Sequence, residues 1–581
     1  MIKVGLRNLK RILVSDLFWL AATVPVLFCI YLQNINILYT PPILADELAY
    51  IGIAAFFAGF DWSSTVSLLG YFSYGYPLLI TPLFHLFSHD PVLMYRSFAV
   101  LNCALLSASV VFPYLIGRKL FPDINTKTLI LLSFILFLFP SYYWYVNTAM
   151  AEVLLYCLFW LMLWMVCNLN ENSTKRFMLC MGILTAYIHS VHQRTIGIVI
   201  SIAILVLFMF IIKKISIKQL LFFALGFIPI FSMQFYLKPY LIDNLWLSSG
   251  TSSLNNMEAI MPNVIHMFSF EGIKDLIKSF SGKAFYVGTS SLLFGFLGVA
   301  FCLTGSAKYV KEVITKKSSF LSGFSDKTAA EIFLVLAALS SVMITAVFAL
   351  NPNRLDVLIF GRYSDFFIGP LILYGLCTLS LRTKKIPYGV SISVVTISIA
   401  LTIVTWSYMA GMMHKFVAWG FQHLGMAYFD VTPDGMLKAG AISVFAFCYL
   451  CFIIIFIKNN NVRIIAPALI LCVFFALNIR HDALVPNSQR HWQPYTVLTD
   501  AIREIDEEDI PVYYQLSDGH FFGFVQFHLP HISVRMVSSL SEIHELEYLV
   551  IAPASSFVDD GEHYIITSYG EKILMLSSRE S

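Results

Sequence analysis

The stretch DLFWLAATVPVLFCIYLQNINILYTPPILADELAY, residues 16–50, carries the pattern that decides the fold. Residues 17–38 are apolar for long enough to cross the hydrocarbon core of a bilayer, which takes about 20 residues. A Pro41-Pro42 stop follows, and behind it stand two adjacent carboxylates, Asp46 and Glu47. Lys3, Arg7, Lys10 and Arg11 precede the run, and no small-residue cleavage site follows it. It therefore reads as a retained signal-anchor rather than a removed leader.

The same apolar length recurs along the chain. Windows start near 17–38, 92–117, 128–143, 149–168, 177–192, 195–212, 219–240, 285–305, 329–350, 364–381, 387–409, 436–457 and 463–479, which predicts about thirteen transmembrane helices. Composition agrees: 58% of the 581 residues are hydrophobic and only 13% are charged, about half the charge of a soluble domain. Soluble enzymes, disordered proteins and nucleic-acid binders are excluded, so no nucleic acid is expected as a partner.

The formal net charge of +3 hides a division. Residues 485–581 hold five Lys/Arg and fifteen Asp/Glu, and subtracting these from 38 and 35 leaves 33 basic and 20 acidic residues in 1–484. A basic apolar domain, 1–484, is thus joined to an acidic tail domain, 485–581. All ten Cys lie in or beside apolar runs, so no disulfide framework is present, and CYLC at 448–451 reads as helix packing rather than a metal site.

Basic residues mark one side of the membrane. Arg118, Lys119 and Lys127, Lys175 and Arg176, Lys213, Lys214 and Lys218, Lys308 to Lys327, Arg382 to Lys385, and Lys458 with Arg463 alternate with connections poorer in Lys and Arg, among them 39–91, 241–284 and 410–435. The positive-inside rule puts the first set and the N-terminus in the cytoplasm. An odd number of spans then puts the tail outside. Within it IPVYYQL, ISVRMV, YLVIAPA, HYIITSY and EKILMLS read as strands after a helix-like Tyr495–Asp509, a small α/β domain with a mostly parallel sheet. The long aromatic loop 39–91 reads as interfacial helices lying on the bilayer.

Ionisable residues at membrane depth are costly and point to function. Here they gather at the outer edge: Asp46 and Glu47; Glu152 at the start of a span; Arg194 in HSVHQRTIGIV; Arg354; and Arg362 in FGRYSD. The competing reading of the acid pair is a helix N-terminus worth a fraction of a kcal/mol, and that of the arginines is headgroup anchoring. His189 and His192, at i and i+3, lack a third ligand at metal-binding spacing, so no metal is predicted. Outer-edge carboxylates facing outer-edge arginines suit transfer of a sugar from a lipid phosphate: arginines stabilise the charge developing on the phosphate, and a carboxylate takes the acceptor's proton. A single base with in-line attack gives inversion.

Five stretches in order carry a family resemblance: Asp46-Glu47-Leu48-Ala49-Tyr50, YGYPLLITPLFHLF (74–87), MYRSFAVLNCALLSASVVFPYLIGRKLFP (94–122), YIHSVHQRTIGIVI (187–200) and FGRYSDFFIGPLIL (360–373). Together they resemble the GT-C superfamily of polytopic glycosyltransferases, in the bacterial branch related to lipid A aminoarabinose transferase and protein O-mannosyltransferase. The resemblance implies a polyprenyl-phosphate sugar as donor substrate with no certain cofactor. The acceptor would be a glycan, lipid or protein at the extracytoplasmic face of the cell membrane, and a monomer among membrane lipid is expected. It implies Asp46 as general base with Glu47 beside it, and Arg194, Arg362 and Arg354 at the donor phosphate. Tyr50, Glu152, Tyr363, Tyr74, Tyr76, His85 and Arg96 would be supporting residues. Gln193-Arg194-Thr195 departs from the Arg-Pro that the family pattern would place there. The stretch 241–284 matches no motif and offers Lys274, Lys278 and Lys283 as acceptor contacts. Two other classes compete: a ligase or polymerase of O-antigen type, with His266 in that loop, and a secondary transporter, whose site would lie near the midplane in repeated halves.

Overall fold

A computed structural model of the chain describes residues 2–246, 257–316, 324–350, 354–382, 388–413, 415, 421–481, 484–505, 510–516, 521–557 and 563–578. Each of the thirteen apolar windows falls on a helix. Among the described residues eight helices are long and apolar enough to cross a membrane, and shorter apolar ones include Thr126–Leu136, Glu152–Cys167 and Asp365–Leu381. The window 285–305 falls on a broken element: Phe270–Thr289 and Phe294–Glu312 meet at 106°. Leu292 and Leu293 turn the chain there with φ of 47° and 65°, a left-handed conformation that side-chain-bearing residues rarely take.

The centre of the bundle is Asp365–Leu381, in which every residue from Asp365 through Ser380 is buried. A helix apolar all round belongs inside other helices, not at the lipid boundary. Glu152–Cys167 beside it is nearly as enclosed. By contrast Ile217–Leu245 exposes Leu221, Leu225, Phe235 and Tyr236, as a lipid-facing helix must. It lies against Lys175–Val191 at backbone distance because both carry glycine at the crossing. A Cβ on Gly182 would stand 2.1 Å from the carbonyl oxygen of Phe223, and one on Gly226 would stand 2.2 Å from that of Leu179.

The loop 39–91 forms the helices Leu44–Phe57, Ser63–Val66 and Gly75–Phe87. The first does not lie on a bilayer surface as expected: Glu47 through Ala55 are all buried by protein. Most of that cover comes from Gly75–Phe87, and part of it from the tail helix Phe521–His528. The tail's strands β1 (Val512–Gln515), β2 (Arg535–Val537), β3 (Glu547–Pro553), β4 (His563–Tyr569) and β5 (Lys572–Ser578) coincide with the five expected runs and form one sheet in the order β2-β1-β3-β5-β4. The sheet is mixed rather than mostly parallel: β1 pairs parallel with β2 and β3, while β5 is antiparallel to β3 and β4. The reason is Gly570, whose φ of +60° closes a turn too short for the crossover a parallel pair needs.

The tail grips the loop. The Gln489 amide accepts from the Tyr39 and Thr40 N–H at 2.7 and 3.1 Å and donates to the Thr40 carbonyl at 2.8 Å. Trp62 Nε1 donates to the Pro530 carbonyl at 3.0 Å, and Gly523 in Phe521–His528 packs on Leu48.

Replacing Gly182 by valine forces apart two backbones already in contact. Overpacking of this kind typically costs about 1–3 kcal/mol, so the detergent-solubilised Gly182→Val protein is expected to melt measurably below wild type.

Candidate active site

Three helix beginnings converge at one end of the bundle. Asp46 lies in the first turn of Leu44–Phe57, Glu152 opens Glu152–Cys167, and Arg362 sits in the single turn Gly361–Tyr363 ahead of Asp365–Leu381. An acid in the first turn of a helix is favoured by the positive end of the dipole, so two of the three side chains are native to their positions. Glycine at 361 is required, since a Cβ there would fall 2.0 Å from the ring of Tyr286. That ring cannot retreat. Its hydroxyl donates to Asp365 Oδ1 at 2.7 Å and accepts from the Gly425 N–H at 2.9 Å. The Gly361 N–H also donates to the Gln422 carbonyl at 2.7 Å, fixing the turn from its other side.

Arg362 bridges the two acids. Nη1 donates to Asp46 Oδ2 at 2.6 Å, and Nε donates to Glu152 Oε1. The Arg362 and Glu152 side chains are 1% and 2% exposed, whereas Asp46 is 25% exposed, so of the three it is Asp46 that a substrate can reach. Arg194 has no carboxylate partner among the ion pairs of the described residues. Its guanidinium is stacked between Phe348, at 3.7 Å, and Tyr363, at 3.8 Å, and its Nη1 is buried without a hydrogen-bond partner. Stacking holds the cation flat and leaves its in-plane donors for an anion. Arg354 pairs with Asp356 at 3.2 Å. Asp46, Arg194, Arg354 and Arg362 all line one cavity of about 480 Å³, walled elsewhere by Leu68, Leu69, Phe72, Phe360 and Phe421. Clefts of that size bind small organic ligands.

The sequence-predicted residues divide. Asp46, Arg194, Arg354, Arg362 and Tyr363 meet at the cavity, and Glu152 stands directly behind. Glu47, expected beside Asp46 as a catalytic group, points away from the cavity and is fully buried. Oε1 accepts from the Ile43 N–H at 2.8 Å, and Oε2 contacts the Tyr95 hydroxyl at 2.5 Å and the Ala149 N–H at 2.6 Å. Adjacent residues on a helix point about 100° apart, which is why an adjacent pair cannot share one face. Burial pushes the Glu47 carboxyl up to about 7. Tyr95 lies 3.0 Å from the Asn147 carbonyl, so a protonated Glu47 can donate to Tyr95 while Tyr95 donates onward.

Tyr50 is buried against Phe72 with its hydroxyl unpartnered, close behind the same cluster. Tyr76 is committed to Asn102, and Arg96 caps the end of the first span by donating to the carbonyls of Leu38 and Asn36. Tyr74, His85 and Arg96 do not line the cavity. Neither do the lysines offered as acceptor contacts. Lys274 pairs with Glu271 and Lys278 with Asp275, while Lys283 is buried and donates to Ser279 Oγ and the carbonyls of Val357 and Leu358. His266 pairs with Asp275. Asn351, Pro352 and Asn353 lie outside the described residues, as do Lys384 and Lys385. Among the described residues no three of His, Cys, Asp or Glu come together as a metal site; Asp46 and Glu152 converge on a guanidinium instead. The aromatic walls Phe348, Phe360 and Phe421 were missed, because an aromatic beside a span reads equally well as packing.

No family model matches the chain, and no curated protein matches it in sequence. The fold does match. The structure of ArnT from Cupriavidus metallidurans bound to undecaprenyl phosphate superposes with a TM-score of 0.50 at 10% identity, over 96% of this chain and 98% of that one. The chain has the GT-C fold. The apo form of the same ArnT superposes at 0.49 with 11% identity, over 97% and 98% of the two chains. An Archaeoglobus fulgidus oligosaccharyltransferase tethered to an acceptor peptide gives 0.41 at 10% identity, over 93% of this chain and 69% of that one. The fold assignment rests on the first of these. At such identity the GT-C fold gives the architecture, and the reaction has to be argued from the site itself.

The two acids of the pair are expected to separate on mutation. Glu47→Gln removes the ionisable group but sets an NH2 against one of the two backbone N–H groups that the carboxyl oxygens accept, so it is expected to fold with a stability loss of about 1–3 kcal/mol and to retain activity. Glu47→Ala strands two backbone N–H groups, a loss of about 1–3 kcal/mol for each buried donor left unpaired. A pH series of melting temperatures gives the sign. A carboxyl whose folded value is raised from 4.5 to about 7 lends stability that is complete below about 4.5 and lost as pH rises through about 7. Glu47→Gln is expected to remove that part of the slope.

Proposed function

We propose that the chain is an integral-membrane glycosyltransferase that moves a sugar from a polyprenyl-phosphate donor to a lipid, polysaccharide or protein acceptor at the extracytoplasmic face. The reading is carried by one observation: a base-like carboxylate and an unpaired, ring-stacked guanidinium open into the same cavity at one end of the bundle. It is supported by the fold shared with a protein whose structure holds undecaprenyl phosphate.

The chemistry follows from the placement. Asp46 takes the proton of the acceptor hydroxyl as that oxygen attacks the anomeric carbon. The bond from the anomeric carbon to the phosphate oxygen breaks on the opposite side, and the polyprenyl phosphate leaves with one more negative charge than it had as a diester. Arg194, with Arg354 beside it, meets that charge, an interaction stronger in the transition state than in the ground state. Attack opposite to departure inverts the anomeric centre. Arg362 supplies the fixed positive charge between Asp46 and Glu152, and a divalent cation is not needed to hold the two acids together.

Mass spectrometry of envelope glycans and lipids from cells with and without the protein is expected to show loss of one sugar modification. Membranes bearing the protein should then transfer that sugar from its undecaprenyl-phosphate form. Asp46→Asn is expected to fold and express normally while transfer falls by at least 10³-fold, at the upper part of the range for general-base removal, about 10²–10⁴. Arg194→Gln is expected to raise KM for the donor and lower kcat together. Transfer is expected to persist in EDTA. Substantial transfer by Asp46→Asn would sink the base assignment.

A further inference from the structure

Behind the substrate cavity lies a second, small one of about 20 Å³, bordered by Glu152, His192, Arg194, Arg362, Ser341 and Thr345. Its polar neighbours are incomplete. Glu152 Oε2, His192 Nε2, Arg194 Nη1, Arg362 Nη2 and Ser341 Oγ are all buried and lack a hydrogen-bond partner within the protein. Such groups need an explanation wherever they occur, and here the residues that carry them border one small space, Arg194 and Arg362 lining the substrate cavity as well.

The imidazole of His192 decides what that space takes. Its Nδ1 accepts the backbone N–H of Arg194 at 3.2 Å, capping the short turn Gln193–Thr195. A neutral ring that accepts at Nδ1 carries its proton on Nε2, so Nε2 is a donor. Glu152 Oε2 is an acceptor, and the arginine nitrogens are donors. One water fits a space of roughly 10–15 Å³ or more when two to four polar partners surround it, and this space meets both conditions.

We propose that His192 is a positioning residue of the transfer reaction. One ring nitrogen sets the backbone of Arg194. The other, through a single buried water, sets the carboxylate of Glu152 and with it the Arg362–Asp46 pair. His192 thereby couples the phosphate-facing cation to the base, which stand on opposite sides of the reacting bond. The proposal rests on the glycosyltransferase reading of the same site. The i, i+3 pairing with His189 has no part in it: His189 stacks on Phe231.

Two substitutions separate the two nitrogens. His192→Asn keeps an acceptor where Nδ1 stands, and Asn is a good capping residue, but nothing reaches the buried space. His192→Gln carries a donor to the position of Nε2. A third variant, Ser341→Val, fills the space with a methyl group and leaves His192 untouched. Transfer is measured in membranes with a panel of undecaprenyl-phosphate sugars (glucose, galactose, mannose and aminoarabinose), alongside melting temperatures of the purified proteins. His192→Asn and Ser341→Val are expected to lower kcat at least tenfold with donor KM within twofold of wild type. His192→Gln is expected to recover to within about threefold.

A wild-type kcat in His192→Asn, or in a folded Ser341→Val, would overturn the proposal. So would a His192→Gln no better than His192→Asn, or a change confined to KM, which would leave His192 with Arg194 alone. Should His192→Asn fail to fold, Ser341→Val decides. Wild-type membranes that transfer no sugar from any donor would instead overturn the glycosyltransferase reading.

Discussion

A guanidinium taken out of water between two carboxylates is an expensive object. Desolvating three charges offsets most of their mutual attraction, and well-packed apolar residues in the same volume often give a fold at least as stable. Arg362 with Asp46 and Glu152 is therefore poorly explained as a stabilising device. What the triad does is fix geometry: it binds the helix Leu44–Phe57, the helix Glu152–Cys167 and the turn before Asp365–Leu381 to one point. Removing Arg362 strands Glu152, a buried carboxylate, without its partner, whereas removing either acid leaves Arg362 paired with the other.

Much around the triad exists to keep that point in place. Gly361 lets the Arg362 turn approach Tyr286, and Tyr286 is itself tied to Asp365 and Gly425. Lys283 holds the carbonyls of Val357 and Leu358, on the stretch that leads into Arg362 from Arg354. These contacts join segments far apart in the chain, and of Gly361, Tyr286, Asp365, Gly425, Lys283, Val357 and Leu358 it is Val357 alone that borders the substrate cavity. Their effect is to limit the freedom of the few residues that line it.

The sequence disclosed this site unevenly, for physical reasons. Helices were legible because apolar length is a one-dimensional property: the apolar windows fall on helical segments, and eight helices among the described residues are long and apolar enough to cross a membrane. Charged residues beside the apolar runs were legible because their cost in lipid makes them conspicuous, which is how Asp46, Glu152, Arg194 and Arg362 stood out. Pairing was not legible. Arg362 looked like a phosphate ligand, and only three dimensions show its guanidinium shared between two acids. Glu47 looked like a partner of Asp46 because adjacency in sequence resembles adjacency in space, although successive helical residues point apart. The mixed sheet of the tail was misjudged for a related reason: five strands can be read from composition, but their direction depended on the turn at Gly570.

The tail domain shows how far the constraint on the base extends. Asp46 rides on a helix whose preceding residues, Tyr39 and Thr40, are hydrogen-bonded by Gln489, and whose Leu48 lies against Gly523. Tyr95, which contacts Glu47, meets Phe527 edge-on at 5.8 Å between ring centres. The helix is thus held at its start by Gln489 and along its buried face by the tail domain, with the Arg362 pairing on its remaining side. A carboxylate in the role proposed for Asp46 tolerates little angular error, because proton transfer requires a hydrogen bond already formed in the reactive geometry. A tail domain whose described residues do not line the cavity thereby sets the angle of the helix that carries Asp46.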